Sequence, residues 1–203
     1  MGATESIKDR IFKTAISLFS AKGFRGTSIR DIANEMNISM SNIYHHFGNK
    51  EGLLLAILQR VSERLVKDLK DVATLDLPPV DKLEKLVDTH IRLAGTYTKE
   101  TRIFFLDEEH LSTEGERINR NIQRQIFGFY KSVLKELDEA GLIHYRSINV
   151  LSFNIFGVIN WQLRWYRSDG SLSLDEVKEE IVSFIMNGVL GGVWIHGNRE
   201  DIL

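Results

Sequence analysis

The chain has 203 residues, no cysteine and a formal net charge of −2. The missing thiols exclude disulfides and thiolate chemistry. The start lacks the apolar stretch of a signal peptide and no run reaches the ~18 apolar residues of a membrane span, so a cytoplasmic protein with no membrane partner is expected. At 43% hydrophobic and 27% charged residues, the composition suits either one large domain or a small head on a larger body.

Ile7, Ile11, Ala15, Leu18 and Phe19 form the apolar stripe of a first helix, which Gly23 is placed to end. Ser28, with Asp31 three residues on, opens a second helix as a short-armed capping box, with Ile29, Ile32 and Ala33 on its inner face. A turn through Met36, Asn37 and Ile38 follows. Asn37 suits the bend, and Ile38 can plug the helix pair. Ser39 is expected to cap a third helix over 39–47 that turns Ile43 and Phe47 inward and leaves Ser41, Asn42, Tyr44 and His45 outside. This pattern is a helix-turn-helix with 39–47 as the recognition helix. No acidic residue lies between Met36 and Lys50. Ser and Asn exchange hydrogen bonds with base edges, while Tyr44, His45 and Lys50 reach phosphate oxygens. On spacing alone, an ordinary polar surface helix is the alternative.

Asn49 is positioned to cap a fourth helix running to about Leu69, and Pro78-Pro79 mark the break after it. Leu83, Leu86, Val87, His90, Ile91 and Ala94 repeat with helical spacing, with His90 as a hydrogen-bonded core or pocket residue. A short helix is expected over Arg102–His110. Ser112 or Thr113 then caps a long one to Ala140, with Ile118, Ile122, Ile126, Phe129, Val133 and Leu137 inward and Gly141 as its stop. No segment alternates as a strand does, so the fold is all-α.

Residues 148–166 are apolar around most of a helix, and such a helix must be covered on all sides. The next helix, 174–190, opens with a capping box at Ser173 and Glu176 and is read as presenting Val177, Ile181, Phe184, Ile185 and Gly188 on one face. Two such helices from each of two chains make a four-helix interface, so a homodimer through 148–166 and 174–190 is expected. Burial of both within one chain is the alternative.

Residues 1–51 carry seven Lys/Arg against five Asp/Glu, and residues 52–203 carry 19 against 23. A mildly basic head on an acidic body concentrates attraction for DNA at the helix-turn-helix. The expected division is 1–51 for DNA binding and 52–203 for a helical body that dimerises.

The run GFRGTSIRDIANEMNISMSNIYHHFGNKEGLL, with IFKTAISLFSAKG before it, resembles the N-terminal domain of the TetR family of bacterial transcriptional regulators. The specific pieces are Gly23-Phe24, Thr27-Ser28, Asp31-Ile32-Ala33 and Tyr44-His45-His46-Phe47 followed by Lys50-Glu51. The resemblance implies a three-helix head, homodimeric operator binding and a repressor released by a small-molecule effector. It implies DNA contacts at Thr27, Ser28 and Arg30, at Ser39, Ser41, Asn42, Tyr44 and His45, and at Lys50.

Aromatic residues in the body suggest a pocket for a small hydrophobic effector: Tyr97, Phe104, Phe105, Phe127, Tyr130, Phe156, Trp161 and Trp165, with Phe153 nearby. Asn154, Asn160 and Gln162 supply polar groups among them, and plain core packing is the alternative. NWQLRWYRSDGSLSLDEV, residues 160–177, resembles the TetR-like regulators of fatty-acid and sterol catabolism, whose effectors are acyl-CoA thioesters. That resemblance implies an apolar tunnel, with Arg164 and Arg167 as candidate CoA-phosphate partners. The alternatives are a drug-type sensor of the same family, a ligand-independent helical dimer binding protein or DNA, and an activator or a DNA binder without sequence preference. Asp107-Glu108-Glu109-His110 is read as a solvated face, since adjacent helical residues point in different directions. No cofactor or metal is expected, and with no nucleophile–base signature or nucleotide loop, no enzyme.

Overall fold

The computed structural model describes residues 5–97, 99–100, 103, 111–167 and 169–191, and among them there are helices and no strand. The helices are α1 (Ile7–Lys22), α2 (Ile29–Met36), α3 (Met40–Phe47), α4 (Lys50–Ala73), α5 (Pro79–Thr96), α6 (Thr113–Glu139), α7 (Ile148–Trp165) and α8 (Leu174–Leu190). Most boundaries have an identifiable cause. Gly23 ends α1 at φ 75°, its N–H donating to Phe19 O at 2.9 Å. Ser28 and Asp31 form a complete capping box on α2, and the Ser28 hydroxyl and N–H hold the Asp31 carboxyl below its usual range. Asn37 makes the turn at φ 52° and ψ 47°, a left-handed conformation that Asn tolerates better than most residues. Asn49 Oδ1 accepts from Gly52 N–H at 2.7 Å and opens α4, which continues to Ala73, past the expected end near Leu69. Ser39 departs from expectation. It sits at the N-cap of α3 but makes no side-chain cap hydrogen bond.

The chain packs as two compact units that each draw on separate stretches of sequence: 1–67 with 94–124, and 68–93 with 125–203. In the first, Ile11, Phe12 and Phe19 of α1, Ile29 and Ile32 of α2, Ile43 of α3 and Leu53, Leu54 and Ile57 of α4 form one apolar cluster. Ile103 and Leu111 are buried in the same cluster, and Ile122 of α6 packs against it. Phe47 meets Phe12 edge-on with ring centroids 5.2 Å apart, and Ile38 lies against the cluster as the expected plug.

In the second unit the α5 stripe is buried as its spacing foretold, through Leu83, Leu86, Val87, His90 and Ile91. It is joined by Tyr130, Val133, Leu134 and Leu137 of α6 and Ile155, Ile159 and Leu163 of α7. The buried ammonium of Lys82 pairs with Glu136 at 2.6 Å, linking α5 to α6, and Lys178 of α8 reaches Asp88 at 3.1 Å. α7 has one inward face, Ser152, Ile155, Ile159, Gln162 and Leu163. At 100° per residue that phase turns Val150, Phe153, Trp161 and Trp165 to solvent. On α8 the single apolar face read from sequence proves to be two. Val177, Ile181 and Ile185 are buried, while Phe184 stands out 66% exposed. No helix among the described residues is long and apolar enough to cross a membrane.

Candidate nucleic-acid interface and aromatic core

The first unit holds α3 by its apolar side: Ile43 is fully buried and Phe47 is half-buried against Phe12. The opposite side carries Ser41, Asn42, Tyr44 and His45, all exposed, with Tyr44 at 47%. Ser39 is exposed at the start of the same helix. These five expected contacts therefore share one solvent-facing surface of small polar and aromatic groups, suited to base edges and phosphates. Arg30 is exposed on α2, and Ser28, also exposed, has its hydroxyl engaged with Asp31.

Two of the expected contacts are placed differently. Thr27 is 1% exposed, and its hydroxyl faces Gly23 O at 3.0 Å and Leu18 O at 3.3 Å. A hydroxyl turned inward onto carbonyls closes the α1–α2 loop, so the Thr27 side chain is placed as a loop fastener with its proton engaged. Lys50 is half-buried, its ammonium donating to Phe24 O at 2.8 Å and Thr27 O at 3.0 Å and lying 4.3 Å from the Phe24 ring centre. Two of its three protons are thus committed to the same loop, which sets the approach to α2. Nothing in the sequence signals this role, because its partners are backbone carbonyls 23 and 26 residues away.

In the second unit, Phe127, Tyr130, Phe153 and Phe156 form a ring cluster. Phe127 stacks on Phe156 with centroids 5.6 Å apart and tilts against Phe153 at 4.9 Å, and Tyr130 meets the edge of Phe156 at 5.0 Å. His90 adjoins it, 5.7 Å from Phe156. Its Nδ1 lies 3.1 Å from the Tyr130 hydroxyl, which donates in turn to Leu86 O at 3.3 Å. With that proton directed to Leu86, the imidazole donates from Nδ1 to the Tyr130 oxygen. Burial pushes the His90 imidazole down to about 4 and the Tyr130 phenol up, so both are neutral. Gln162, 2% exposed on the inner face of α7, has an Oε1 without a hydrogen-bond donor among the described residues.

Trp161, Arg164 and Trp165 lie on the exposed side of α7. On the single chain Trp161 and Trp165 are 63% and 49% exposed and Arg164 is exposed above the Trp161 ring. Arg167 is exposed and paired in two hydrogen bonds with Asp169. Asn160 and Tyr97 are half-buried, and Tyr97 belongs to the first unit. Phe104, Phe105 and the 107–110 cluster lie outside the described residues, as does most of the expected helix at 102–110.

Comparison with known proteins bears on both units. Residues 11–57 match the family model of the tetR family of bacterial regulatory proteins, and residues 76–189 match that of the tetracyclin repressor-like C-terminal domain. The HTH-type transcriptional repressor KstR2 of Rhodococcus jostii is 25% identical over 185 residues, covering 90% of each chain. The solved structure of the ketosteroid transcriptional regulator KstR2 of Mycobacterium tuberculosis superposes with a TM-score of 0.82 at 21% identity, over 93% of this chain and 97% of that one. AibR, solved with isovaleryl coenzyme A and operator DNA, superposes with a TM-score of 0.77 at 25% identity, over 90% of this chain and 97% of its own.

Proposed function

The chain belongs to the TetR family of bacterial regulatory proteins, which makes it a DNA-binding transcriptional regulator and not an enzyme, and from that premise we propose a homodimeric repressor released from its operator by an acyl-CoA thioester. In this reading residues 1–51 carry DNA binding, and residues 52–203 carry effector binding and dimerisation, in the cytoplasm.

The observation that carries the reading is the apolar face that α7 and α8 leave uncovered on the single chain. Val150, Phe153, Trp161, Trp165 and Phe184 are all half or more exposed, or close to it. Gly157 and Gly188 lie on the same helices, and a Cβ added at either would meet nothing within 4 Å. Exposed large apolar side chains on both helices support a protein contact, and pairing them with a second copy makes the four-helix interface expected of 148–166 and 174–190. A dimer is what lets two recognition helices enter major grooves about 34–36 Å apart.

The acyl-CoA effector is supported by AibR, a neighbour solved with isovaleryl coenzyme A and operator DNA. The aromatic cluster, buried at Tyr130 and half-buried at Phe127 and Phe156, suits an apolar chain, and the Gln162 Oε1 is an acceptor available to a ligand N–H or O–H. A second reading, a sensor of hydrophobic compounds lacking CoA, is favoured by one observation: Arg164 faces solvent and Arg167 is taken up by Asp169, so neither marks a phosphate site. A thermal-shift screen against acyl-CoAs of graded length separates the two. A rise in Tm that depends on chain length and is absent with free acids supports the CoA reading. A rise with hydrophobic cations and none with the esters refutes it.

A further inference from the structure

Five helices among the described residues, α1, α2, α6, α7 and α8, begin with a serine whose hydroxyl accepts the N–H three residues on. In α2 and α8 that third residue is acidic, Asp31 or Glu176, and its carboxylate accepts the N–H of the capping serine in return. α6 is built differently. Ser112 accepts the Gly115 N–H at 3.2 Å, and glycine has no side chain with which to reciprocate. The carboxylate comes instead from another helix: Glu51, in the first turn of α4, accepts the Ser112 N–H at 2.7 Å. Gly115 is what makes room for it, since a Cβ there would stand 2.8 Å from Glu51 Oε1 and 3.1 Å from the Leu111 side chain. The capping box of α6 is split between two helices.

That turn of α4 has other attachments. Lys50, the residue before Glu51, holds the Phe24 and Thr27 carbonyls at the entrance to α2. Gly52, the residue after it, lies so close to the end of α3 that a Cβ would collide with Phe47 O. The first turn of α4 therefore joins the start of α6, the approach to α2 and the end of the recognition helix. α6 is itself one continuous helix of 27 residues that also carries Phe127 and Tyr130 of the aromatic cluster.

We propose that Glu51 is a positioning residue for operator binding: by capping α6 from α4, it makes the pose of the recognition helix depend on where the first turn of α6 lies. The inference rests on the operator-binding reading and deepens it by naming the contact through which α6 bears on DNA affinity. Glu51 itself touches no base or phosphate in this account.

The test uses the full-length protein and an operator duplex selected in vitro with the wild type. Operator affinity is measured by fluorescence anisotropy across a salt series for the wild type, Glu51→Gln, Glu51→Ala, Gly115→Ala and the double variant Glu51→Ala/Gly115→Ala. Glu51→Ala is expected to weaken binding about tenfold, within the range of inter-site coupling, with an unchanged salt slope because no phosphate contact is lost. Gly115→Ala, altering the other helix, is expected to do the same. The double variant should be no worse than either single one, since both remove one interaction. Glu51→Gln keeps the acceptor without the charge and should fall between, which guards against a misfolded Ala variant. Amide exchange at 111–117 should slow when wild type binds operator and should not respond in Glu51→Ala. Wild-type affinity in Glu51→Ala, or additive losses in the double variant, overturns the proposal. A wild type that selects no sequence overturns the operator reading beneath it.

Discussion

Burial of His90 makes the second unit sensitive to acid, and the size of the effect can be worked out. The imidazole is held neutral in the folded protein, with its pKa lowered by burial to about 4. In the unfolded chain it returns to about 6.5. Between those values the unfolded state binds a proton that the folded state refuses, so stability is full above pH ~6.5 and is lost as the pH falls toward ~4. Integrating that difference from pH 7 to pH 5 gives about 2 kcal/mol, and about 3 kcal/mol over the whole window. His90→Asn removes the titrating group while keeping an N–H near the Tyr130 hydroxyl. Urea unfolding of both proteins at pH 7 and pH 5, at one protein concentration, isolates the term from the other histidines. The wild type should lose about 2 kcal/mol more than His90→Asn on acidification. Equal losses would show that His90 protonates freely in the folded state, and the buried His90–Tyr130 pair would be refuted.

Thr27→Val keeps the shape but leaves Gly23 O and Leu18 O without that donor, so a loss of about 1 kcal/mol in chemical unfolding is expected, with the salt slope of operator binding unchanged. A slope reduced by about one unit would instead make Thr27 a phosphate contact. Arg30→Ala, on the exposed side of α2, should lower the slope by about 0.9 and weaken all sequences alike in the same anisotropy series. Phe184→Glu places a charge on the uncovered face of α8 and should yield monomers in sedimentation velocity with operator affinity lost. A dimer surviving that change would move the interface elsewhere.

Much of the first unit was legible because its signals are local. Ser28 with Asp31, Asn37 at the turn and Asn49 before α4 each act within three residues of themselves, and each does what its chemistry suggests. The recognition face followed from the phase of a single helix once Ile43 and Phe47 were turned inward. Features set by distant partners were hidden. Whether Thr27 points out or in depends on where the carbonyls of Leu18 and Gly23 lie, and the spacing of residues 27–30 carries no trace of them. The first unit also takes Ile103, Leu111 and Ile122 into its core, from a stretch about fifty residues past the helix-turn-helix. On α7 the difficulty was one of kind. A helix apolar around most of its circumference does not announce its inward phase, so Trp161 and Trp165 read as well for a pocket as for the surface they occupy. α8 failed the same way, since Phe184 and Ile185 are neighbours in sequence and face opposite environments.

The proposed repressor is released because an acyl-CoA thioester lowers its affinity for operator DNA. The most direct measurement is the anisotropy of a labelled operator duplex titrated with protein, alone and with saturating isovaleryl-CoA or longer acyl-CoAs, with free CoA and free acids as controls. A rise in operator Kd of about tenfold or more is expected with at least one thioester and none with either control. An operator Kd unchanged by every thioester, at concentrations that saturate binding, would contradict it.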